Sequence, residues 1–202
     1  MKTLNKELQQ SITPEKALEI LLDGNQRFLD GEKSARDLNQ QVDETSSGQF
    51  PFAAVLGCID SRVPVEHIFD LGIGDIFSAR VAGNIVNEDI LGSLEYSCKV
   101  AGSKLILVLG HTACGAVTAA CKQVELGNIT ALLSKIKPAV NAFSNEIASG
   151  DYEVDAVAKQ NVVDSMERIR KESPILAEME KNGEIAIKGA MYDVGSGKVE
   201  MI

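Results

Sequence analysis

The segment KLILVLGHTAC, residues 104–114, gives the clearest indication of the architecture of this 202-residue chain. Its first seven residues, 104–110, are almost all apolar, which predicts a strand that is buried on both faces. A second apolar run, FAAVLG at 52–57, predicts another such strand. Segments of helical periodicity at 88–100 and 115–126 lie beside these strands in the sequence. Buried strands that alternate with helices predict an α/β fold with a central, mostly parallel sheet flanked by helices.

The same periodicities predict the remaining elements of the core. Three further strands are expected, the last of them as a C-terminal extension of the sheet, at 75–81, 184–192 and 198–202. Helix is expected at 64–69 and over most of 129–182, with interruptions near Pro138, Gly150 and Pro174. The length indicates a single domain over 1–202, with an N-terminal helical arm and loop at 1–48 and the α/β core at 49–202.

The arm begins with a clear helix signal. Thr13 is a suitable N-cap and Pro14 suits the first helical position, so a helix is expected over 13–31. The polar residues 32–48 predict a loop. Leu21 and Phe28 share an apolar face of this helix, and we expect that face to pack on another subunit rather than on the chain's own sheet.

Composition excludes several classes of partner. The net charge is −9 and no basic cluster stands out, which argues against nucleic acid and against anionic membrane surfaces. No apolar stretch approaches the ~20 residues that a membrane span requires. The N-terminus shows no secretory pattern, and the four cysteines then predict reduced thiols in a cytoplasmic protein.

Metal-ligating side chains follow two of the predicted strands. The strand at 52–57 leads into Cys58, and the strand at 104–110 leads into His111 and Cys114. Function gathers at the carboxyl ends of strands in parallel α/β sheets, so these three side chains converge if the two strands are neighbours. Two thiolates and an imidazole suit Zn²⁺, and three protein ligands leave a fourth position open, as in catalytic zinc sites.

The other two cysteines and the glycine patterns have simpler interpretations. Cys98 and Cys121 lie in predicted helices without a ligand-spaced partner, so we predict that they are core residues. Gly72 and Gly74 are only a fragment of a dinucleotide fingerprint, and the glycines at 110 and 115 lack the Lys-Ser/Thr of a phosphate loop. Both glycine patterns predict tight turns.

The segments CIDSR (58–62) and HTACG (111–115) together resemble the signature of the β-class carbonic anhydrases. The likeness continues through RVAGN (80–84) and GAMYD (189–193) and covers most of the chain. It implies reversible hydration of carbon dioxide to bicarbonate and a proton, by attack of zinc-bound hydroxide.

Site roles follow from the same resemblance. One zinc ion per chain is implied, with Cys58, His111 and Cys114 as ligands. Zinc lowers the pKa of bound water from 15.7 to roughly 7, which supplies hydroxide near neutral pH. Asp60 is expected to accept the hydrogen of that hydroxide and orient it, and Arg62 to keep Asp60 charged through its planar fork.

The resemblance also favours the open, plant-like subtype of the family. Gln49 matches the glutamine that hydrogen-bonds substrate in that subtype, and Phe77 and Tyr96 match its aromatic pocket wall. The other subtype carries a tryptophan where this chain has Val55, and the chain contains no tryptophan. Because part of the wall comes from a second subunit, the resemblance implies a homodimer or a dimer of dimers.

Other functions stay open at this point. A hydrolase of carbon disulfide or carbonyl sulfide would use the same fold and ligands, with different access to the site. A non-catalytic, zinc-stabilised scaffold domain would require a fourth protein ligand, and the presence of Asp60 and Arg62 argues against it. A redox thiol role is disfavoured because the sequence contains no Cys-x-x-Cys.

Overall fold

A computed structural model describes residues 3–202, whose strands form one five-stranded sheet of order β2-β1-β3-β4-β5. The strands are β1 (Ala53–Gly57), β2 (Ile76–Arg80), β3 (Leu105–His111), β4 (Ala186–Tyr192) and β5 (Val199–Met201). The first four are parallel where they pair, and β5 runs antiparallel to β4 as the C-terminal extension. The predicted α/β fold with a mostly parallel sheet is therefore confirmed.

The helices surround this sheet. They are α1 (Lys6–Ser11), α2 (Pro14–Asp30), α3 (Leu38–Thr45), α4 (Val65–Ile68), α5 (Glu88–Glu95), α6 (Gly115–Cys121), α7 (Gly127–Leu133), α8 (Lys137–Ala142), α9 (Ser144–Ser149), α10 (Val154–Glu172) and α11 (Pro174–Lys181). A short 3₁₀ turn occupies Ala82–Asn84, and a π-helical segment, Tyr96–Val100, continues α5. No helix among residues 3–202 has the length and apolar character needed to cross a membrane.

The sheet carries a separate core on each face. Alternate side chains of β1 point to opposite sides, so Ala53 and Val55 join α2 and α4, whereas Ala54 and Leu56 join α5, α10 and α11. Helix α10 lies especially close to β3 and β4. A Cβ atom on Gly110 would come within 2.6 Å of Val162, and one on Gly189 within 2.8 Å of the same side chain. Glycine at these two positions therefore permits the close approach of α10 to the sheet.

The expectation that the apolar face of α2 packs on another subunit is corrected by the structure. The structure begins α2 after the Thr13 cap and ends it at Gly31, as predicted. Its apolar face packs on the chain's own sheet rather than on another subunit. Ala17 and Leu21 are fully buried in the core that covers β1 and β3. The prediction was wrong because helical periodicity identifies an apolar face without identifying the surface that the face covers.

The predicted loop at 32–48 contains a helix. Asp37 caps α3 by accepting a hydrogen bond from the Gln40 backbone N–H at 3.0 Å. The helix buries a polar side chain, Gln41, which accepts a hydrogen bond from the Ile73 N–H at 3.1 Å and packs over Gly72. Because α3 docks through an amide rather than an apolar stripe, its sequence lacks the pattern that predicts a helix.

Two predicted helices leave regular α geometry before their expected ends. The helix predicted at 115–126 ends at Cys121, where the chain turns through Gln123 with a positive φ of 53°. The helix predicted at 88–100 ends as an α-helix at Glu95 and continues as the π-helical segment. In both cases the apolar pattern persists beyond the point at which the backbone leaves α geometry.

A buried carboxylate joins the arm to the core. Asp70, just after α4, accepts hydrogen bonds from Arg27 Nε at 2.6 Å, Arg36 Nη1 at 2.5 Å and Ser34 Oγ at 2.8 Å. Burial opposes ionisation of Asp70, yet the hydrogen bonds from Arg36, Arg27 and Ser34 hold its pKa well below the usual range. The segment between α2 and α3 is thereby fixed to the end of α4.

Candidate metal centre and active site

The three predicted zinc ligands converge. Strands β1 and β3 are paired neighbours, with Gly57 opposite Leu109, so their carboxyl ends lie side by side. Cys58 follows β1 directly, His111 is the last residue of β3, and Cys114 is the N-cap residue of α6. All three are buried, and their ligand atoms lie within 4.8 Å of one another. The predicted convergence of these side chains is confirmed.

His111 offers one nitrogen to this cluster. Its Nδ1 lies 2.9 Å from the Thr112 carbonyl oxygen, so Nδ1 carries the proton and donates it, and Nε2 keeps a free lone pair. Nε2 is buried and has no hydrogen-bond partner among the described residues. An unpartnered, buried imidazole nitrogen beside two sulfur atoms fits a borderline-soft cation, and the cluster is consistent with one zinc ion per chain.

The two thiols differ in acidity. A hydrogen bond from the Cys114 thiol lowers the pKa of Cys58 against the opposing effect of burial, with help from the backbone N–H groups of Asp60 and Gly83. The pKa of Cys114 is raised, first by the hydrogen bond that it gives to Cys58 and then by burial. The cluster thus already favours one thiolate, and a bound cation would displace the proton of the second thiol.

Asp60 and Arg62 form a bidentate pair beside the cluster. Arg62 donates from Nε to Asp60 Oδ1 at 2.9 Å and from Nη2 to Oδ2 at 2.8 Å, and its backbone N–H also donates to Oδ1. These hydrogen bonds hold the pKa of Asp60 well below its usual range. Asp60 Oδ2 is 4.0 Å from His111 Nε2, so an ionised carboxylate lies at the edge of the metal cluster.

The predicted pocket residues lie elsewhere in the single chain. Phe77 and Tyr96 make an edge-to-face contact with ring centroids 6.0 Å apart, and both line a cavity of about 660 Å³ beside the edge strand β2. Phe77 pairs with Ala54, so it lies about 13 Å along the strands from Cys58 at roughly 3.3 Å per residue. Gln49 is exposed and lines a different cleft. One chain alone does not bring these three residues around the metal cluster.

Several supporting contacts were not predicted from the sequence. Arg80 donates to the Cys58 carbonyl at 2.9 Å and to the Asp60 carbonyl at 2.7 Å, and so fixes the turn between the first ligand and the carboxylate. From α10, Asn161 donates to the Gly83 carbonyl in the turn whose N–H bonds to Cys58 Sγ. Asp155 accepts from the Ala113 N–H in the turn between His111 and Cys114. The motif at 80–84 was a signal for Arg80, whereas no local pattern marks the two α10 residues.

The remaining cysteines are core residues, as predicted. Cys98 and Cys121 are free and buried, and neither belongs to the metal cluster. Burial raises the pKa of Cys98 to about 11, and burial also raises that of Cys121. Both thiols are therefore protonated at neutral pH and lack the thiolate character of Cys58.

Comparison with known proteins gives a consistent picture. Residues 53–199 match the protein family described as carbonic anhydrase. A relative named carbonic anhydrase 2, from Mycobacterium tuberculosis, is 34% identical over 193 residues, which cover 92% of this chain and 91% of that protein. The carbonic anhydrase of Mycolicibacterium smegmatis is 33% identical, with 93% of each chain covered.

Solved structures agree with the sequence relatives. The β-carbonic anhydrase of Coccomyxa, in complex with acetazolamide, is 27% identical, has a TM-score of 0.73, and covers 92% of this chain and 86% of its own. The β-carbonic anhydrase CafA of Aspergillus fumigatus is 28% identical, also has a TM-score of 0.73, and covers 81% of each chain. With its ligand cluster at the ends of β1 and β3, this chain belongs to the β-class carbonic anhydrases, the zinc lyases that interconvert carbon dioxide and bicarbonate.

Proposed function

We propose that this chain hydrates carbon dioxide reversibly at a zinc site formed by Cys58, His111 and Cys114, in the open arrangement of the family. One observation carries the proposal. A buried cluster of three ligands lies beside a carboxylate, Asp60, whose two oxygens are both bonded to Arg62. Three protein ligands leave a fourth coordination position for the reaction, whereas a scaffold site would be closed by a fourth protein ligand.

The ligand residues prepare the site for the metal. Zinc bound there would act as a Lewis acid. It would lower the pKa of its bound water to about 7 and so provide a nucleophile near neutral pH. Thr112 holds the His111 ring in the tautomer that presents Nε2. The hydrogen bond from the Gly83 N–H to Cys58 Sγ, at 3.3 Å, favours the thiolate form of that ligand.

Asp60 is proposed to orient the attacking group. Because Arg62 keeps it ionised, its oxygens can only accept hydrogen bonds. It accepts the hydrogen of the nucleophile and turns the nucleophile's lone pair towards the carbon atom of carbon dioxide. Positioning of this kind reduces the entropy that the reaction step would otherwise lose.

Arg62 supports the open subtype. For Asp60 to close the site by binding the metal, its carboxylate would have to give up the hydrogen bonds from Nε, Nη2 and the backbone N–H of Arg62. Bidentate, charge-assisted pairs are among the stronger hydrogen bonds in proteins. Arg62 Nη2 also donates to the Ala113 carbonyl at 3.2 Å, which restrains the guanidinium itself. These contacts favour a carboxylate that remains beside the metal.

We further propose that Gln49, Phe77 and Tyr96 form the substrate pocket when two chains associate. Carbon dioxide is small, neutral and apolar, so aromatic walls with one amide anchor suit it. Tyr96 is 53% exposed, and β2 has an unpaired edge, so the surface around Phe77 is available to a second copy. Because each chain carries a charge of −9, the centre of this contact should be apolar. Assembly of the dimer into a dimer of dimers remains a prediction.

Two wider expectations are proposed on the same basis. The four cysteines are free, and the two cysteine ligands must be reduced to bind zinc as thiolates, which favours the reducing cytoplasm as the compartment. The arm at 1–48 and the core at 49–202 are proposed to form one domain, since Arg27 and Arg36 of the arm bond to Asp70 of the core.

The deciding experiment is a stopped-flow assay of carbon dioxide hydration, coupled to metal analysis of the same purified protein. We expect one zinc ion per chain and activity that disappears when zinc is removed. Parallel assays with carbon disulfide and carbonyl sulfide test the hydrolase alternative. Turnover of those sulfur compounds without hydration of carbon dioxide would contradict the proposal, and so would full zinc occupancy without any turnover.

A further inference from the structure

Helix α10 contacts both turns that bring the metal ligands together. Asn161, only 2% exposed, donates from Nδ2 to the Gly83 carbonyl at 2.8 Å. Asp155, in the first turn of the same helix, accepts the Ala113 N–H at 2.7 Å. We propose that Asn161 and Asp155 are positioning residues for the zinc site. This inference rests on the proposed function, because it concerns the same metal site.

The first turn, Ala82–Asn84, supplies a hydrogen bond to the ligand Cys58. The Gly83 N–H donates to Cys58 Sγ, and the Gly83 carbonyl receives the hydrogen bond from Asn161. Gly83 has a positive φ of 67°, and a Cβ atom there would lie 2.7 Å from Ile136. Both the backbone conformation and the lack of space therefore favour glycine at this position. By fixing the carbonyl of Gly83, Asn161 fixes the turn whose N–H faces the sulfur.

One turn further along α10, a second contact supports the same segment. Ser165 Oγ donates to the Asn84 carbonyl at 3.3 Å, and Asn84 itself has a positive φ of 42°. Two consecutive carbonyls of the turn are therefore held by side chains of one helix. The helix in turn packs closely on β3 and β4 through Val162 at Gly110 and Gly189. Helix α10 thus fixes the position of the Gly83 N–H relative to the sheet that carries His111.

The second turn aims Cys114 towards His111. Ala113, between them, has a positive φ of 52°, a conformation that residues other than glycine rarely adopt. Its N–H bonds to Asp155 and its carbonyl accepts from Arg62 Nη2 at 3.2 Å, so the peptide groups on both sides of this residue are held. Strained backbone persists only where surrounding contacts determine it. Asp155 supplies one of the two contacts that hold Ala113.

Neither residue touches the metal cluster or the substrate, so the effect of each is expected on metal affinity. Loss of an outer contact that orients metal ligands typically costs 10–100-fold in affinity or activity. Asn161→Ala removes the donor to Gly83, and Asp155→Ala removes the acceptor for Ala113. Asp155→Asn is the conservative variant, since its Oδ1 still accepts the same hydrogen bond. Ile169→Val, in the buried core of α10 and away from both turns, is the matched control for general destabilisation.

The test is competition for zinc between each purified full-length protein and a chromophoric chelator at neutral pH. We expect Asn161→Ala and Asp155→Ala to bind zinc at least about tenfold more weakly than the wild type. Asp155→Asn and Ile169→Val should stay within about twofold of the wild type, which is well below the 10–100-fold loss expected when an outer contact is removed. A second readout is the thiolate-to-cobalt absorption of the Co²⁺-substituted proteins, which should shift in Asn161→Ala and stay unchanged in Ile169→Val.

The outcomes separate this inference from the proposed function. If the wild type binds one zinc ion and hydrates carbon dioxide, while both alanine variants bind zinc as tightly as Ile169→Val, the positioning roles are wrong and the function stands. If the wild type itself binds no zinc, the proposed function fails first. If Asn161→Ala does not fold, the two variants of the exposed residue Asp155 provide the test. Equal zinc affinities of Asp155→Ala and Asp155→Asn would overturn the inference.

Discussion

At the scale of single residues, Cys58 and Cys121 illustrate how surroundings determine the chemistry of a buried thiol. The hydrogen bond from Cys114 lowers the pKa of Cys58, whereas burial raises that of Cys121. We expect Cys58→Ser to lose its zinc, because a serine hydroxyl does not ionise at neutral pH. Cys121→Ser should retain one zinc ion per chain, as measured by atomic absorption on purified protein. Zinc bound stoichiometrically to Cys58→Ser would contradict the assignment of the ligands.

Asp60 gives a second prediction at this scale. Asp60→Asn replaces an obligate acceptor with an amide and removes the charge that Arg62 holds in place. The rate of carbon dioxide hydration should fall by about 10²-fold or more, the scale on which a positioned polar group contributes, while the zinc content stays unchanged. Stopped-flow assays with metal analysis check both quantities. Asp151→Asn, a change at an exposed position, is the control and should keep the wild-type rate.

The sequence permits some of these residues to be identified and not others. The convergence of Cys58 with His111 was predictable, because the carboxyl ends of neighbouring parallel strands meet at one edge of a sheet. Asn161 and Asp155 were not predictable, since their partners lie 78 and 42 residues away along the chain. A hydrogen bond between such distant segments depends on the packing of α10 and leaves no local periodicity.

At the scale of elements, Asp70 controls how the arm is attached to the core. Its side chain is 3% exposed and its partner Arg36 is 8% exposed, so Asp70→Asn leaves a buried charge without its counterion. We expect the free energy of unfolding to fall by about 3 kcal/mol at pH 7. The measurement is urea unfolding of metal-free protein, followed by circular dichroism.

The pH dependence of this effect has a defined sign. The pKa of Asp70 is lower in the folded chain than the value of about 3.9 expected when unfolded, so its stabilising contribution is complete above that value. The contribution is lost as the pH falls towards the folded pKa, and the difference between wild type and Asp70→Asn should shrink below about pH 4. The exposed pair Lys16–Glu19 is the control, because Glu19→Gln should change stability by less than about 1 kcal/mol.

The contact between α2 and α4 gives a further prediction. A Cβ atom on Gly24 would lie 1.9 Å from the Phe69 carbonyl oxygen, and a backbone atom cannot rotate away as a side chain can. Gly24→Ala should therefore lower the free energy of unfolding by about 3 kcal/mol, at the upper end of the usual cost of overpacking. Gly92→Ala is the control, because a Cβ atom there meets nothing within 4 Å, and helix propensity favours the change by up to about 1 kcal/mol. Thermal unfolding of both variants measures the difference.

The elements also show where prediction from sequence succeeds and where it fails. The strand at Leu105–His111 is apolar along its length and was expected within one residue of its observed bounds. Helix α3 was missed because it docks through the amide of Gln41 and leaves Leu38 and Val42 exposed. The face of α2 was identified correctly, but its contact with the chain's own sheet could not be inferred from the position of Leu21 in the helix.

At the scale of the whole molecule, the cavity beside β2 is where we expect a second copy to bind. Ala79→Glu would place a charge on the lining of the cavity that holds Phe77 and Tyr96. We expect this variant to sediment and scatter light as a smaller species than the wild type, with reduced carbon dioxide hydration. Val124→Glu, at another partly exposed apolar position, should leave both properties unchanged. A wild-type protein that is monomeric at full activity would contradict the shared pocket.

The order of the elements along the chain has a consequence for synthesis on the ribosome. All three ligand residues are translated by position 114, whereas α10, which helps to bury Cys114 through Val157 and Ala158, begins only at Val154. The crossover from β3 to the parallel strand β4 contains α10, so those strands pair only after the helix has emerged. A nascent chain therefore exposes the two ligand thiols, Cys58 and Cys114, to metal ions and oxidants until its C-terminal segment has been translated.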